Sequence, residues 1–118
     1  MNEYKMKRIR YLDKLSGKWE SPKYLKWCAE RYHTNIWGTT MHHCLHKRVD
    51  YLLVPLQKEM HDYADEHRSE IFFAYLEKSV SILLDYLRDE YDVIYTLSDF
   101  EPETLKKLFE YVQFVEQA

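Results

Sequence analysis

The sequence predicts a mainly α-helical protein of one domain, residues 1–118, with one small β-hairpin. A chain of 118 residues fits one domain with one modest core, and 46% of its residues are apolar. Only two Gly and three Pro occur, which argues against a loop-rich or all-β fold. Apolar residues recur at helical spacing over residues 70–117, which we expect to form a C-terminal helical part.

Near the N-terminus, residues 3–15 fit either a short helix or a strand, and their apolar spacing slightly favours a helix. Ser21 followed by Pro22 is typical of a helix N-cap and the first helical position. We expect that helix to fade near residues 34–35.

The middle of the chain has a different pattern. Residues 36–41 and 49–54 are rich in β-branched, aromatic and other apolar side chains, and a short polar stretch separates them. This pattern predicts the small hairpin. Pro55 is expected to start the helix that follows it.

Two longer helices are predicted after the hairpin. The first begins near Ser69, and the second is capped within residues 98–102. We expect the apolar stripe of each helix to lie in the core. The stripes consist of Phe72, Leu76, Leu83, Tyr86 and Leu87 in the first helix and Leu105, Leu108, Phe109, Val112 and Val115 in the second.

Charge is distributed unevenly along the chain. Residues 1–48 carry eleven basic and four acidic side chains, whereas residues 49–118 carry six basic and sixteen acidic ones. Such asymmetry points to a polyanion such as DNA as partner of the basic half, or to a protein partner of the acidic half. Mutual neutralisation of the two halves within the fold explains it equally well. The candidate nucleic-acid contacts are Lys5, Lys7, Arg8, Arg10, Lys23, Lys26, Lys47 and Arg48.

Location is predicted from what the sequence lacks. No apolar run reaches the roughly 18 residues of a membrane span, and the first residues do not look like a secretory signal. Cys28 and Cys44 are not a close pair, which suits a reducing compartment. We therefore expect a cytoplasmic protein without a membrane partner.

All six histidines lie between residues 33 and 67. The pair His42 and His43 ends the first predicted strand, and His61 lies on the helix after the hairpin. A strand–turn–strand–helix can bring the end of its first strand beside the first turns of its helix. One imidazole from each would then bind a divalent cation, and the second His of the pair would take a proton from water.

The order of these motifs resembles the HNH family of ββα-metal nucleases, in particular phage-type members related to recombination-enhancement nucleases. The similarity covers roughly residues 21–75 and rests on the segments SPKYLKW at 21–27, HH at 42–43, DYLLVPL at 50–56, and His61. It implies a central ββα-metal motif flanked by helices.

The resemblance also implies roles for individual residues. His42 and His61 would be metal ligands, and His43 the general base that activates water. Asp65 stands where the family usually has a second helical His, so it is a candidate carboxylate ligand. Asp50 matches an acidic position that we expect to orient the hairpin. The cofactor would be one divalent ion per chain, Mg, Mn, Ni or Zn.

The chain departs from the family in several positions. Gln57 and Met60 stand where helix-side cysteines usually lie, and no CxxC precedes the His pair, so a structural zinc site is not expected. Leu52 lies near the place of the missing Asn. Burial by the C-terminal helices would have to replace the lost zinc.

Three functions stay open from the sequence. The first is a metal-dependent endonuclease acting on DNA, of phage or mobile-element type. The second is a catalytically inactive descendant that binds nucleic acid or a protein. The third is a helical oligomerisation module built on residues 70–117. The sequence does not give the oligomeric state.

Overall fold

Helices make up most of what the computed structural model describes, namely residues 15–33, 39–43 and 48–118. The elements in chain order are α1 Pro22–Arg31, β1 Thr39–His43, β2 Leu53–Gln57, α2 Lys58–Glu66, α3 Arg68–Tyr91 and α4 Pro102–Gln117. The prediction of a mainly helical chain with one small antiparallel sheet is confirmed. Most of the helix or strand predicted at residues 3–15 lies outside the described residues.

Helix α1 begins as the sequence predicts. The Ser21 hydroxyl oxygen accepts a hydrogen bond from the Tyr24 backbone N–H at 3.1 Å, and Pro22 occupies the first turn. This cap satisfies one of the N–H groups that a helix N-terminus leaves without an intrahelical partner. The helix ends at Arg31, a few residues before the predicted end.

The first strand ends at His43, as predicted, whereas the second lies further along the chain than predicted. Val49 forms only an isolated bridge with Trp19, and β2 starts at Leu53 after a turn. The prediction that Pro55 starts a helix is wrong, because Pro55 lies inside β2 opposite Met41. Pro is tolerated there since, among the described residues, β2 has a neighbouring strand on one side only. Helix α2 starts immediately afterwards, at Lys58.

The long helices and their buried stripes are confirmed. Helix α3 begins at Arg68, one residue from the predicted start, and α4 begins at Pro102. Every predicted stripe residue is buried except Val115, which is partly buried against the core. Burial of each Leu or Phe side chain stabilises the fold by roughly 1.5–3 kcal/mol.

One carboxylate near the end of α4 joins three parts of the fold. Glu116 accepts hydrogen bonds from the hydroxyls of Ser21, Tyr51 and Tyr86, the last at 2.9 Å. Burial, followed by hydrogen bonding to neighbouring side chains that include Glu116, raises the pKa of both tyrosines. Both phenols are therefore protonated donors at neutral pH, and they tie α4 to α3 and to the turn before β2.

Substitution of Ser21 by Ala should destabilise the fold, because it removes the cap of α1 and one donor to Glu116 together. We expect the free energy of unfolding to fall by about 1–3 kcal/mol. Urea denaturation followed by circular dichroism measures it. The matched control is Ser98→Ala, since Ser98 is exposed and its hydroxyl contacts only neighbouring Asp99 among the hydrogen bonds described. Equal stabilities of the two variants would contradict the role of Ser21.

Candidate metal centre

The candidate site lies where β1 meets α2. Because α2 follows β2 directly and β2 pairs with β1, the first turns of α2 lie beside β1. His42 comes from β1, opposite Val54. His61 and Asp65 come from α2, four residues apart, which places them on one face of the helix.

The three side chains converge on one point. His42 Nδ1 lies 3.5 Å from Asp65 Oδ1, and His61 Nε2 lies 3.6 Å from Asp65 Oδ2. One ligand atom from each residue lies within 4.8 Å of the others. Two ligands each about 2.1 Å from a tetrahedral zinc ion are about 3.4 Å apart, and the two distances between a histidine nitrogen and an Asp65 oxygen, 3.5 and 3.6 Å, are close to this spacing.

The site is closed on one side and open on the other. Only 1% of the His42 side chain is exposed, and the ring of Tyr75 on α3 lies 6.1 Å from the His42 ring. By contrast, 31% of His61 and 47% of Asp65 are exposed. An ion held here would have a protein wall behind it and access to water in front.

A hydroxyl supports the helix-borne histidine. Thr40 Oγ1 lies 2.9 Å from His61 Nδ1, the ring nitrogen that does not face Asp65. The sequence reasoning missed this residue. The signal was present, because Thr40 and His42 are two apart on a strand and therefore share a face.

His43 has different neighbours from the triad, the three candidate ligands His42, His61 and Asp65. Its Nε2 lies 3.2 Å from Asp50 Oδ1, and 34% of its side chain is exposed. Successive strand residues point to opposite faces, which is why His42 and His43 have different neighbours. The structure thus brings the three predicted ligands together and places the predicted base beside Asp50. The role of His43 as general base stays a prediction.

Asp50 is fully buried and well supplied with donors. Its carboxylate accepts hydrogen bonds from the Ser21 backbone N–H at 2.8 Å and from Arg48 Nε at 3.0 Å. Burial alone would raise the pKa of this carboxyl. The hydrogen bonds from Arg48, Ser21 and His43 outweigh burial and hold the pKa of Asp50 below its usual value. These contacts fit the expectation that Asp50 orients the hairpin.

The lowered pKa of Asp50 predicts a dependence of stability on pH. The stabilisation should be fully present above the unfolded pKa of about 3.9 and be lost as pH falls through the lower folded pKa. Below about pH 4, wild type should therefore lose stability more steeply than Asp50→Asn, which has no carboxylate to protonate. Urea unfolding from pH 7 to pH 2 measures this difference. Asp62→Asn, at an exposed acid on α2, is the control. The prediction would be contradicted if the free energy of unfolding of Asp50→Asn fell with pH as steeply as that of wild type.

The predicted nucleic-acid contacts divide into three groups. Lys5, Lys7, Arg8, Arg10 and Lys47 lie outside the described residues. Lys23 and Lys26 are exposed on α1 and line a cleft of about 320 Å³ with Trp27, but Glu30 and Glu90 line it too. Arg48 is exposed and held by Asp50.

Part of the charge asymmetry is neutralised inside the chain. Arg31 of the basic half forms ion pairs with Asp89 at 2.9 Å and with Asp85 at 3.8 Å, both in the acidic half. These pairs support mutual neutralisation of the two halves, at least on the surface between α1 and α3.

Two other histidines in the described ranges stand apart from the triad. His33 is exposed with a φ of 51°. His67 stacks on Tyr63 with ring centroids 4.0 Å apart, and its Nδ1 lies 2.9 Å from the Tyr63 carbonyl oxygen. The sequence did not predict either as a ligand. His46 lies outside the described residues.

Cys28 is a buried free thiol. Burial raises its pKa to about 12, so the thiolate that binds metals or attacks electrophiles is scarce at neutral pH. Cys28 is therefore a packing residue. Cys44 lies outside the described residues.

Comparisons of the chain with protein-family models, with curated proteins and with solved structures found no match. The resemblance to HNH nucleases therefore rests on the order of motifs in the sequence. Within the described ranges, none of the helices combines the length and apolar character needed to cross a bilayer.

Proposed function

We propose that the chain is a divalent-metal-dependent, HNH-like endonuclease that hydrolyses phosphodiester bonds in DNA. The observation that carries this proposal is the convergence of His42, His61 and Asp65 between a strand and the helix that follows its partner strand. The order of β1, β2 and α2 suits the ββα-metal motif that the resemblance implies.

The donor set fits a transition-metal ion better than magnesium. Two imidazoles and one carboxylate suit Zn²⁺, Ni²⁺ and Mn²⁺, whereas Mg²⁺ prefers oxygen ligands and keeps several waters. A bound ion would supply Lewis-acid stabilisation of the charge that develops on a phosphate. The exposed edges of His61 and Asp65 leave room for water and a phosphate group.

The remaining residues have roles in binding and proton transfer. Asp50 holds the His43 ring through Nε2, so removal of a proton from water would use Nδ1 while that contact lasts. Lys23 and Lys26 would contact phosphates electrostatically, in the cleft that they line together with Trp27.

A second candidate function is a binding protein that has lost catalysis. The contact between His43 and buried Asp50 favours it, because the predicted base faces a different residue from the three ligands. Such a protein would use the basic N-terminal half on nucleic acid or the acidic half on a protein partner. It would not cleave DNA with any divalent ion.

Metal binding is tested first and separately from cleavage. His61→Ala should abolish tight binding of Zn²⁺, because it removes one of three protein ligands. Zinc binding is measured by competition with a chromophoric chelator and by metal analysis after dialysis, with one ion per wild-type chain expected. His67→Ala is the matched control, since it removes an imidazole near the end of the same helix but outside the triad. Retention of stoichiometric zinc by His61→Ala would reject the site.

Cleavage is tested on supercoiled plasmid with Mg²⁺, Mn²⁺ and Ni²⁺ side by side. We expect nicking with Mn²⁺ or Ni²⁺, and we expect His43→Ala to lower it about 10²–10⁴-fold while its circular dichroism is unchanged. Full cleavage by folded His43→Ala would reject His43 as the base. Wild type that binds metal and nicks with none of the three ions would favour the binding protein.

A further inference from the structure

We propose that Thr40 is a positioning residue whose hydroxyl holds His61 with Nε2 turned toward the metal. The inference rests on the proposed metal site but adds a residue outside the three ligands. It concerns the chain's own hydrogen bonding, so it can be tested without any cleavage assay.

The two nitrogens of the His61 ring face different neighbours. Nδ1 lies 2.9 Å from Thr40 Oγ1, within hydrogen-bond distance. Nε2 lies 3.6 Å from Asp65 Oδ2, at the spacing expected of two ligands to one ion. Because the ring is rigid, holding Nδ1 at the hydroxyl also fixes the direction of Nε2.

The strand places Thr40 where this contact is needed. Thr40 and His42 share the face of β1 that looks toward α2, since they are two residues apart. The same hydroxyl lies 3.5 Å from the carbonyl oxygen of Leu56, its partner in the register. That carbonyl can accept the hydroxyl proton and so leave an oxygen lone pair for His61.

This arrangement selects the tautomer that a metal requires. A ligating imidazole binds through its unprotonated nitrogen and gives its other N–H to an acceptor. With the Thr40 proton directed to Leu56, the hydroxyl oxygen accepts Nδ1–H, and Nε2 carries the lone pair. Without the hydroxyl, part of the free energy of ion binding would be used to orient the His61 ring and to select its tautomer.

The test compares two Thr→Val substitutions on adjacent residues. Thr40→Val keeps the shape and removes the hydroxyl, and we expect zinc affinity to fall about 10–100-fold. Thr39→Val is the matched control, because its side chain points to the opposite face of β1. Thr40→Ser should restore most of the lost affinity. Equal zinc affinities of wild type and folded Thr40→Val would overturn the inference.

A second readout uses the wild-type chain and so does not depend on how a variant folds. In the zinc-bound protein, ¹⁵N correlation spectra of the His61 ring should show a proton on Nδ1 and coordination through Nε2. Coordination through Nδ1 would overturn the inference.

The outcomes separate this inference from the proposed function. Zinc binding that is insensitive to Thr40→Val rejects the positioning role and leaves the nuclease proposal standing. Zinc binding that weakens in Thr40→Val, in a protein that nicks no plasmid, supports the positioning role and rejects the nuclease. Wild type that binds none of Zn²⁺, Mn²⁺ and Ni²⁺ overturns both.

Discussion

A buried carboxylate, Asp50, fixes how the segment before α1 meets the small sheet. It accepts the backbone N–H of Ser21, contacts the side chains of Arg48 and His43, and donates its own backbone N–H to the Trp19 carbonyl. Taking a charge out of water costs several kcal/mol unless it is paired and hydrogen-bonded. All of these hydrogen-bond partners therefore have to be in place at once, and this fixes the start of α1 relative to the end of β1.

Glu116 supplies a second fixed point on the other side of Ser21. Its hydrogen bonds come from the N-cap residue of α1, from the turn before β2 and from α3, so the end of α4 is tied to three separate segments. The aromatic rings around these hydroxyls pack on one another, as Tyr24 does with Tyr51 and Tyr86. The Tyr51 and Tyr86 rings can be buried because their hydroxyls donate hydrogen bonds to Glu116.

The candidate metal centre follows from the side-chain periodicities of β1 and α2, which place their polar residues on facing surfaces. The strand repeat of two puts Thr40 and His42 on the face of β1 that looks toward α2, and the helical repeat puts His61 and Asp65 on one face of α2. The same strand repeat sends His43 to the opposite face, where Asp50 receives it. A hairpin can therefore carry adjacent histidines with different chemical surroundings, one buried against a carboxylate and an imidazole, the other half-exposed beside a second carboxylate.

The positions of the histidines and the family resemblance pointed to the three residues that converge at the candidate metal centre. The sequence by itself determined the helices after residue 67, their buried stripes and the cap at Ser21. These depend on local periodicity and capping chemistry, which a sequence displays directly. Only the tertiary structure decided the place of Pro55, the contact between Thr40 and His61, and the pairing of His43 with Asp50. The register between β1 and β2 set these contacts. Register depends on which residues the rest of the fold can bury, and a local sequence pattern does not contain that information.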